Sequence, residues 1–105
     1  MTVDRLSAAV DALDGLERTL AADDVDGWET MVGGGPDCYV VTATRGGQVA
    51  NATVVADPDE FVEMTVGEQA IDYPASYVLD RSQVKVALAD LASGVLPPSR
   101  WEILG

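Results

Sequence analysis

The stretch CYVVTATRGGQVANATVVA, residues 38–56, decides the fold. Two runs rich in Val, Ala and Thr flank Gly46-Gly47, a glycine pair typical of two-residue hairpin turns. The sequence therefore predicts antiparallel strands over Cys38–Thr44 and Val49–Ala56. We expect Cys38, which opens the first strand, to be a small buried hydrophobic residue.

The strand pattern continues toward the C terminus. Asp57-Pro58-Asp59 and Gly67-Glu68-Gln69 predict turns, with a strand over residues 60–66 between them. Strand residues alternate between two faces, so Phe61, Glu63 and Thr65 should face one way and Val62, Met64 and Val66 the other. A short strand over Ala70–Tyr73 would complete a meander of three or four strands.

Helical periodicity precedes these strands. Apolar residues recur three or four positions apart over residues 3–22, which predicts one amphipathic helix. Thr2 is its expected N-cap, and Asp14 and Arg18 are spaced to pair on its exposed side. The apolar stripe consists of Val3, Leu6, Val10, Leu13, Leu16 and Leu20. Residues 23–27 are expected to end this helix.

A second helix is predicted over Asp80–Ser93. Asp80 is its N-cap, Gln83 stands where a capping box needs its partner, and Gly94 is the expected C-cap. The buried stripe should be Val84, Ala87, Leu88 and Leu91. Trp101–Leu104 predicts a closing strand that returns to the sheet.

Two further segments complete the predicted fold. Trp28–Val32 is compatible with a short strand. Residues 33–37, with three glycines, lack the Lys-Ser/Thr of a phosphate-binding loop, so they predict a turn. We expect residues 1–105 to form a single α+β domain, an antiparallel sheet of three to five strands with an N-terminal and a C-terminal helix packed on one face. Leu6, Val10 and Leu13 should pack beside Val84, Leu88 and Leu91.

Composition excludes several kinds of function. The 105 residues include eighteen acids, six bases, one Cys and no His, for a net charge of -12. Without His, neither a Ser-His-Asp triad nor a histidine metal site can form. We therefore expect no enzyme activity, no cofactor and no metal. The charge repels nucleic acid and anionic membranes, and with no signal peptide or apolar span we expect a cytoplasmic protein.

The acids are concentrated where bases are absent. No Lys or Arg occurs between Gly46 and Asp80. We expect this tract to bind a basic partner, with Tyr73 and Tyr77 as apolar anchors. The acids of this predicted surface are Asp57, Asp59, Glu60, Glu63, Glu68 and Asp72. Two other interpretations stay open, namely a solvated acidic coat and a Ca²⁺ or Mg²⁺ site, although the EF-hand spacing is missing.

The last third of the sequence resembles the first immunity-protein family of bacterial polymorphic toxin systems. The resemblance rests on an acidic-aromatic-Pro element, a helix, a Gly-to-Pro turn and a closing Trp. In order, these are Asp72-Tyr73-Pro74-Ala75-Ser76, Val78, Val84, Ala87, Leu88, Leu91, Gly94, Pro98 and Trp101.

This resemblance implies an α+β immunity protein that neutralises a toxin made by the same cell. In that family the toxins are often nucleic-acid deaminases, so the implied partner is a basic deaminase domain. No catalytic residues are implied, because an immunity protein has none. The alternative is an acidic domain of a halophile that acts as a regulatory or ligand-binding module.

Overall fold

Antiparallel strands make up most of the chain. The computed structural model describes residues 2–104, with side chains over residues 4–104. The elements in chain order are α1 (Thr2–Asp11), β1 (Leu20–Val25), β2 (Trp28–Gly34), β3 (Tyr39–Arg45), β4 (Gln48–Ala52), β5 (Phe61–Val66), β6 (Gln69–Pro74), a 3-10 turn (Ala75–Tyr77), α2 (Arg81–Ser93) and β7 (Trp101–Leu104).

The strands form two separate sheets. Within residues 2–104, five pair in the order β1-β2-β3-β4-β7, and β5 pairs only with β6. All pairings are antiparallel, so the predicted α+β class and closing strand are confirmed. The single meander is wrong at one place, because β7 occupies the edge of β4 that β5 would need, with Ala52 opposite Trp101.

The core lies between the helices and one face of the larger sheet. The residues of α1 and α2 predicted to pack together, Leu6, Val10, Leu13, Val84, Leu88 and Leu91, all belong to one buried cluster. Alternate sheet residues complete it, among them Trp28, Val32, Tyr39, Val41, Ala43, Ala50, Ala52 and Trp101. Burial of this apolar surface is the main stabilising contribution to the fold.

The first helix is much shorter than predicted. It ends at Asp11, and Gly15 has φ +75°, a left-handed conformation that interrupts helical continuation. The Asp14 carboxylate accepts backbone N–H groups of Leu16 and Arg18 at 2.9 and 3.0 Å instead of pairing with the Arg18 side chain. Leu16 is 82% exposed, so the leucine periodicity was misleading beyond Leu13.

Residues 20–27, predicted as the last helical turn and its end, form β1 and a hairpin turn. Asp26 and Gly27 both have positive φ, 51° and 83°, which is the geometry of a type I′ turn. The predicted strand at Trp28 therefore becomes the partner of β1, with Val25 opposite Trp28.

The second helix matches its sequence signals. The Asp80 carboxylate accepts the Gln83 N–H at 2.8 Å, and the Gln83 side chain accepts the Asp80 N–H at 2.8 Å. Gly94 closes the helix with φ 80°. Because both ends are capped locally, this helix could be placed from sequence alone.

Two smaller predictions need correction. Gly33 and Gly34 belong to β2, so the predicted loop begins only at Gly35. Cys38 precedes β3 and is half-buried instead of fully buried. Among residues 2–104, neither helix is long and apolar enough to cross a membrane.

Candidate protein-binding surface

The hairpin formed by β5 and β6 packs on the sheet face opposite the helices. Gly33 and Gly34 of β2 make room for it, because an added Cβ would meet the side chains of Val66 and Met64 respectively. Met64 is buried, and at the tip the Glu68 N–H donates to Thr19 Oγ1 at 3.1 Å. The hairpin is therefore a separate layer that crosses one end of the sheet.

The other side of this hairpin faces solvent. Phe61 and Glu63 are exposed while Met64 points inward, which confirms the predicted alternation of β5. Glu63 lies directly opposite Asp72 in the strand register. Two carboxylates thus stand on neighbouring strands on the same face, where side chains approach within about 4.5–5.5 Å at Cβ.

Three more acids lie at the open end of the hairpin. Asp57, Asp59 and Glu60 are all exposed. The Asp57 carboxylate accepts the Asp59 N–H at 2.9 Å, and the Glu60 carbonyl accepts the Ala75 N–H at 2.9 Å. These bonds fix the turn beside the first residue pair of the hairpin, so the three acids add exposed negative charge at its open end.

Glu68 is the outlying member of the predicted acidic set. It occupies the turn at the hairpin tip with φ 68°. The turn begins at Gly67, four positions after Glu63, or about 13 Å at a rise of ~3.3 Å per residue. We call residues 57–74 the acidic hairpin, which holds six acids and no base, half of the chain's net charge of -12.

Tyr73 and Tyr77 lie on the inner side of the acidic hairpin. Tyr73 is opposite Val62 in the register, and both tyrosines line a cavity of about 260 Å³ between the hairpin and the sheet. The Tyr77 hydroxyl donates to the Glu102 carboxylate at 2.7 Å, and this bond raises the pKa of Tyr77. Both side chains are half-buried, so the structure separates them from the outer acids.

Phe61 is the aromatic residue on the outer side, and the sequence reasoning missed it. It is 60% exposed and lies two residues before Glu63 on the same face. The strand alternation already aligned it with Glu63. What the sequence lacked was the information that this face of the hairpin is left uncovered.

Five of the six basic residues are engaged away from the acidic hairpin, whereas Arg18 lines a cavity together with Glu68 at the hairpin tip. Arg5 pairs with Asp23 at 2.6 Å, Lys85 with Asp11 at 3.0 Å and Arg100 with Asp90 at 2.8 Å. Arg81 also approaches Asp11, and Arg45 lies over the Trp28 ring. Within residues 2–104, no ion pair involves an acid of residues 57–74. No ion pair therefore offsets the charge of the hairpin in this part of the chain.

One buried carboxylate was a second candidate for chemistry, Asp90 on α2. Its two oxygens accept from the Arg100 guanidinium at 2.8 and 3.0 Å and from the Trp101 indole N–H at 2.9 Å. Burial raises the pKa of Asp90, but these bonds outweigh it and hold the pKa below its ordinary value. Asp90 is thus a brace between α2 and β7, with its hydrogen bonds satisfied.

The metal interpretation finds no geometric support in the part of the chain that the structure describes. Over residues 2–104, no three side chains among His, Cys, Asp and Glu converge in a group that could hold a metal ion. Asp57, Asp59 and Glu60 are close in sequence, but they do not form such a group.

Comparison with known proteins adds no relative from which a role could be transferred. No family model, no curated protein and no solved structure matches the chain.

Proposed function

We propose that the protein is an immunity protein that binds a cognate polymorphic toxin and covers the toxin's cationic substrate site with the acidic hairpin. The toxin is a basic domain, and the sequence resemblance favours a nucleic-acid deaminase. The observation that carries the proposal is the outer side of the hairpin, where exposed acids surround an exposed Phe61 and no base lies nearby in sequence.

Folding alone gives no reason for this arrangement. Like charges directly opposite each other on neighbouring strands destabilise a sheet, and Glu63 and Asp72 occupy that relation. Every Lys and Arg of the chain lies outside residues 57–74, so no base within the hairpin offsets the repulsion. A cationic partner would remove this repulsion on binding, which makes the acidic hairpin better suited to a complex than to the isolated chain.

The chemistry of the proposed partner fits the same surface. An enzyme that acts on nucleic acid needs a cationic groove along the phosphate backbone. The exposed carboxylates of the hairpin supply negative charge, and Phe61 supplies an aromatic face of the kind that bases offer to a stacking site. Opposite charge also accelerates association by steering the encounter.

The halophile interpretation remains the second candidate. It is supported by Lys85 being the only lysine in an acidic chain of 105 residues. In that case the acids act through solvation, and the domain should lose stability in urea when KCl is removed. An immunity protein needs no such salt, so urea unfolding at low and high KCl separates the two candidates.

Charge reversal in the hairpin tests the proposed function. We expect the double variant Asp59→Lys/Glu63→Lys to associate about tenfold more slowly with the catalytic domain of its proposed cognate toxin. Its association rate should also depend less on salt, because rim charges mainly set the encounter rate. Stopped-flow mixing over a series of salt concentrations measures both quantities, and inhibition of deamination on single-stranded DNA gives the functional readout.

The matched control is Asp4→Lys/Glu29→Lys, which changes the net charge equally. Both control acids are exposed, and Glu29 lies at the end of β2 away from the glycines that contact the hairpin. Asp11 and Asp14 are unsuitable controls, because Asp11 pairs with Lys85 and Asp14 caps a loop. Equal slowing by both pairs would mean a general field effect, and absence of any binding to the toxin would refute the immunity function.

A further inference from the structure

The two edges of the five-stranded sheet differ in how well they are protected against pairing with a strand of another molecule. The β1 edge carries Asp23 and Asp24 within its six residues, and charged residues at an edge oppose pairing with another strand. The β7 edge carries Trp101-Glu102-Ile103-Leu104, with neither Lys nor Pro. Ile103 and Leu104 are 47% and 52% exposed, so an apolar strand edge faces solvent.

The backbone of β7 has hydrogen-bonding groups directed away from the sheet. The Thr53 N–H donates to the Arg100 carbonyl at 2.8 Å, so the carbonyl of Arg100 points toward β4. In an antiparallel pair, the backbone N–H and C=O groups of successive residues point alternately toward and away from the neighbouring strand. The N–H and C=O groups of Trp101 and Ile103 therefore point outward from the edge.

The side of the molecule formed by β4 and β7 also carries few charged residues. Residues 46–56, which include the whole of β4, contain no charged residue. Glu102 is the one charged residue of β7, and it accepts the Tyr77 hydroxyl. In a chain with a net charge of -12, the β4–β7 side is where two copies could approach with the least repulsion.

We propose that the β7 edge pairs with β7 of a second copy of this chain, in an antiparallel dimer about a two-fold axis at Ile103. An antiparallel strand edge is self-complementary under such an axis. Opposite its own copy, Ile103 would exchange both backbone hydrogen bonds and bury its exposed side chain. The same register sets Glu102 against Leu104 of the other copy, so the two glutamates are diagonal neighbours about 7–8 Å apart instead of directly opposite.

This dimer would display two binding surfaces on one side. A two-fold axis perpendicular to a sheet keeps each face on its original side, so both acidic hairpins would lie on the face opposite the helices. Self-association does not depend on the proposed immunity function. Its salt dependence is also opposite, because salt screens the repulsion between two anionic copies and weakens attraction to a basic partner.

Sedimentation equilibrium of the chain alone tests the dimer. We expect a concentration-dependent mass that rises toward twice that of the chain and rises further in ~1 M NaCl, where the Debye length is only ~3 Å. Ile103→Lys should remain monomeric, because it places two ammonium groups on the axis. Leu16→Lys is the control, since Leu16 is 82% exposed, far from β7 in sequence, and gains the same charge.

Oxidative cross-linking provides a second measurement if Ile103→Lys does not fold. In a Cys38→Ser background, Ile103→Cys should form a covalent dimer, because hydrogen-bonded antiparallel partners have Cα atoms about 5.5 Å apart, within disulfide range. Leu16→Cys should not cross-link efficiently. A chain that stays monomeric in high salt, or that dimerises equally well as Ile103→Lys, would overturn the proposal.

Discussion

Two hairpins of this protein have similar local geometry and opposite composition. The β3–β4 hairpin turns at Gly46-Gly47 and buries Tyr39, Val41, Ala43, Ala50 and Ala52 under the helices. The acidic hairpin turns at Gly67-Glu68 and buries only Met64 among its strand residues. One hairpin is built around the core, while the other lies on the sheet with half of its surface in water.

This difference in burial distinguishes residues that stabilise the fold from exposed residues that are available for binding. Each inward residue of the β3–β4 hairpin removes apolar surface from water, which stabilises the native state. The outer residues of the acidic hairpin contribute no such burial, and their repulsion opposes folding. A surface whose repulsion opposes folding is better explained by a partner than by packing.

The largest expected loss of stability follows a substitution in the core beneath the β3–β4 hairpin. Leu88 of α2 is buried, so Leu88→Ala should lower the free energy of unfolding by ~2–5 kcal/mol in urea melts. Phe61→Ala, on the acidic hairpin, should change it by less than ~0.5 kcal/mol because Phe61 is exposed. Comparable losses in both variants would remove the distinction between the two hairpins.

A smaller effect is expected at the Asp90 brace, which joins the core to β7. Asp90→Asn removes the charge that Arg100 and Trp101 bind, and we expect a loss of about 1–3 kcal/mol at neutral pH. Because the folded pKa of Asp90 lies below its ordinary value of 3.8, this stabilisation is complete above that value. It disappears as pH falls through the folded pKa.

Urea unfolding of wild type and Asp90→Asn as a function of pH measures that contribution. The two stabilities should converge in strong acid, where Asp90 is protonated in both the folded and unfolded states. The hydrogen bonds to Asp14, Asp23 and Asp80 also lower the pKa of those carboxyls, so both proteins should lose the same additional stability over this range. A gap that stays constant down to acid pH would contradict the role assigned to Asp90.

Local signals predicted the elements whose partners are close in sequence. The caps of α2 and the two glycine-containing turns fix their neighbours by short-range hydrogen bonds and by φ preferences. The turn at Asp26-Gly27 carries an equally strong hairpin signal. It was misread because the leucine spacing upstream suggested that a helix continued to that point.

The pairing of strands that are distant in sequence could not be predicted from such local signals. Nothing near β4 in sequence indicates that β7 takes its free edge, and this pairing is what detaches β5 and β6 from the larger sheet. The acidic set could be listed from sequence, since it is a matter of composition. Whether Phe61, Tyr73 and Tyr77 face solvent or the sheet depends on how the hairpin packs on the sheet. That packing could not be read from the sequence.

The smallest expected effect addresses the like-charge pair itself. Glu63→Lys would place an ammonium group opposite Asp72 and turn a repulsive cross-strand pair into an attractive one. Such pairs contribute roughly 0.2–1 kcal/mol, so the variant should be slightly more stable than wild type. Its association with a basic partner should nevertheless be slower.

Glu68→Lys is the control that separates the effect of the Glu63–Asp72 pair on stability from the effect of the net charge. It changes the charge by the same amount, but Glu68 lies in the turn and has no acid opposite it in the register. Thermal melts at low salt should therefore show a higher transition temperature for Glu63→Lys than for Glu68→Lys, and added salt should narrow the difference. If both variants gain stability equally, the repulsion is spread over the whole acidic chain. A gain confined to Glu63→Lys, joined with slower association, would mean that this hairpin retains a destabilising pair because binding requires it.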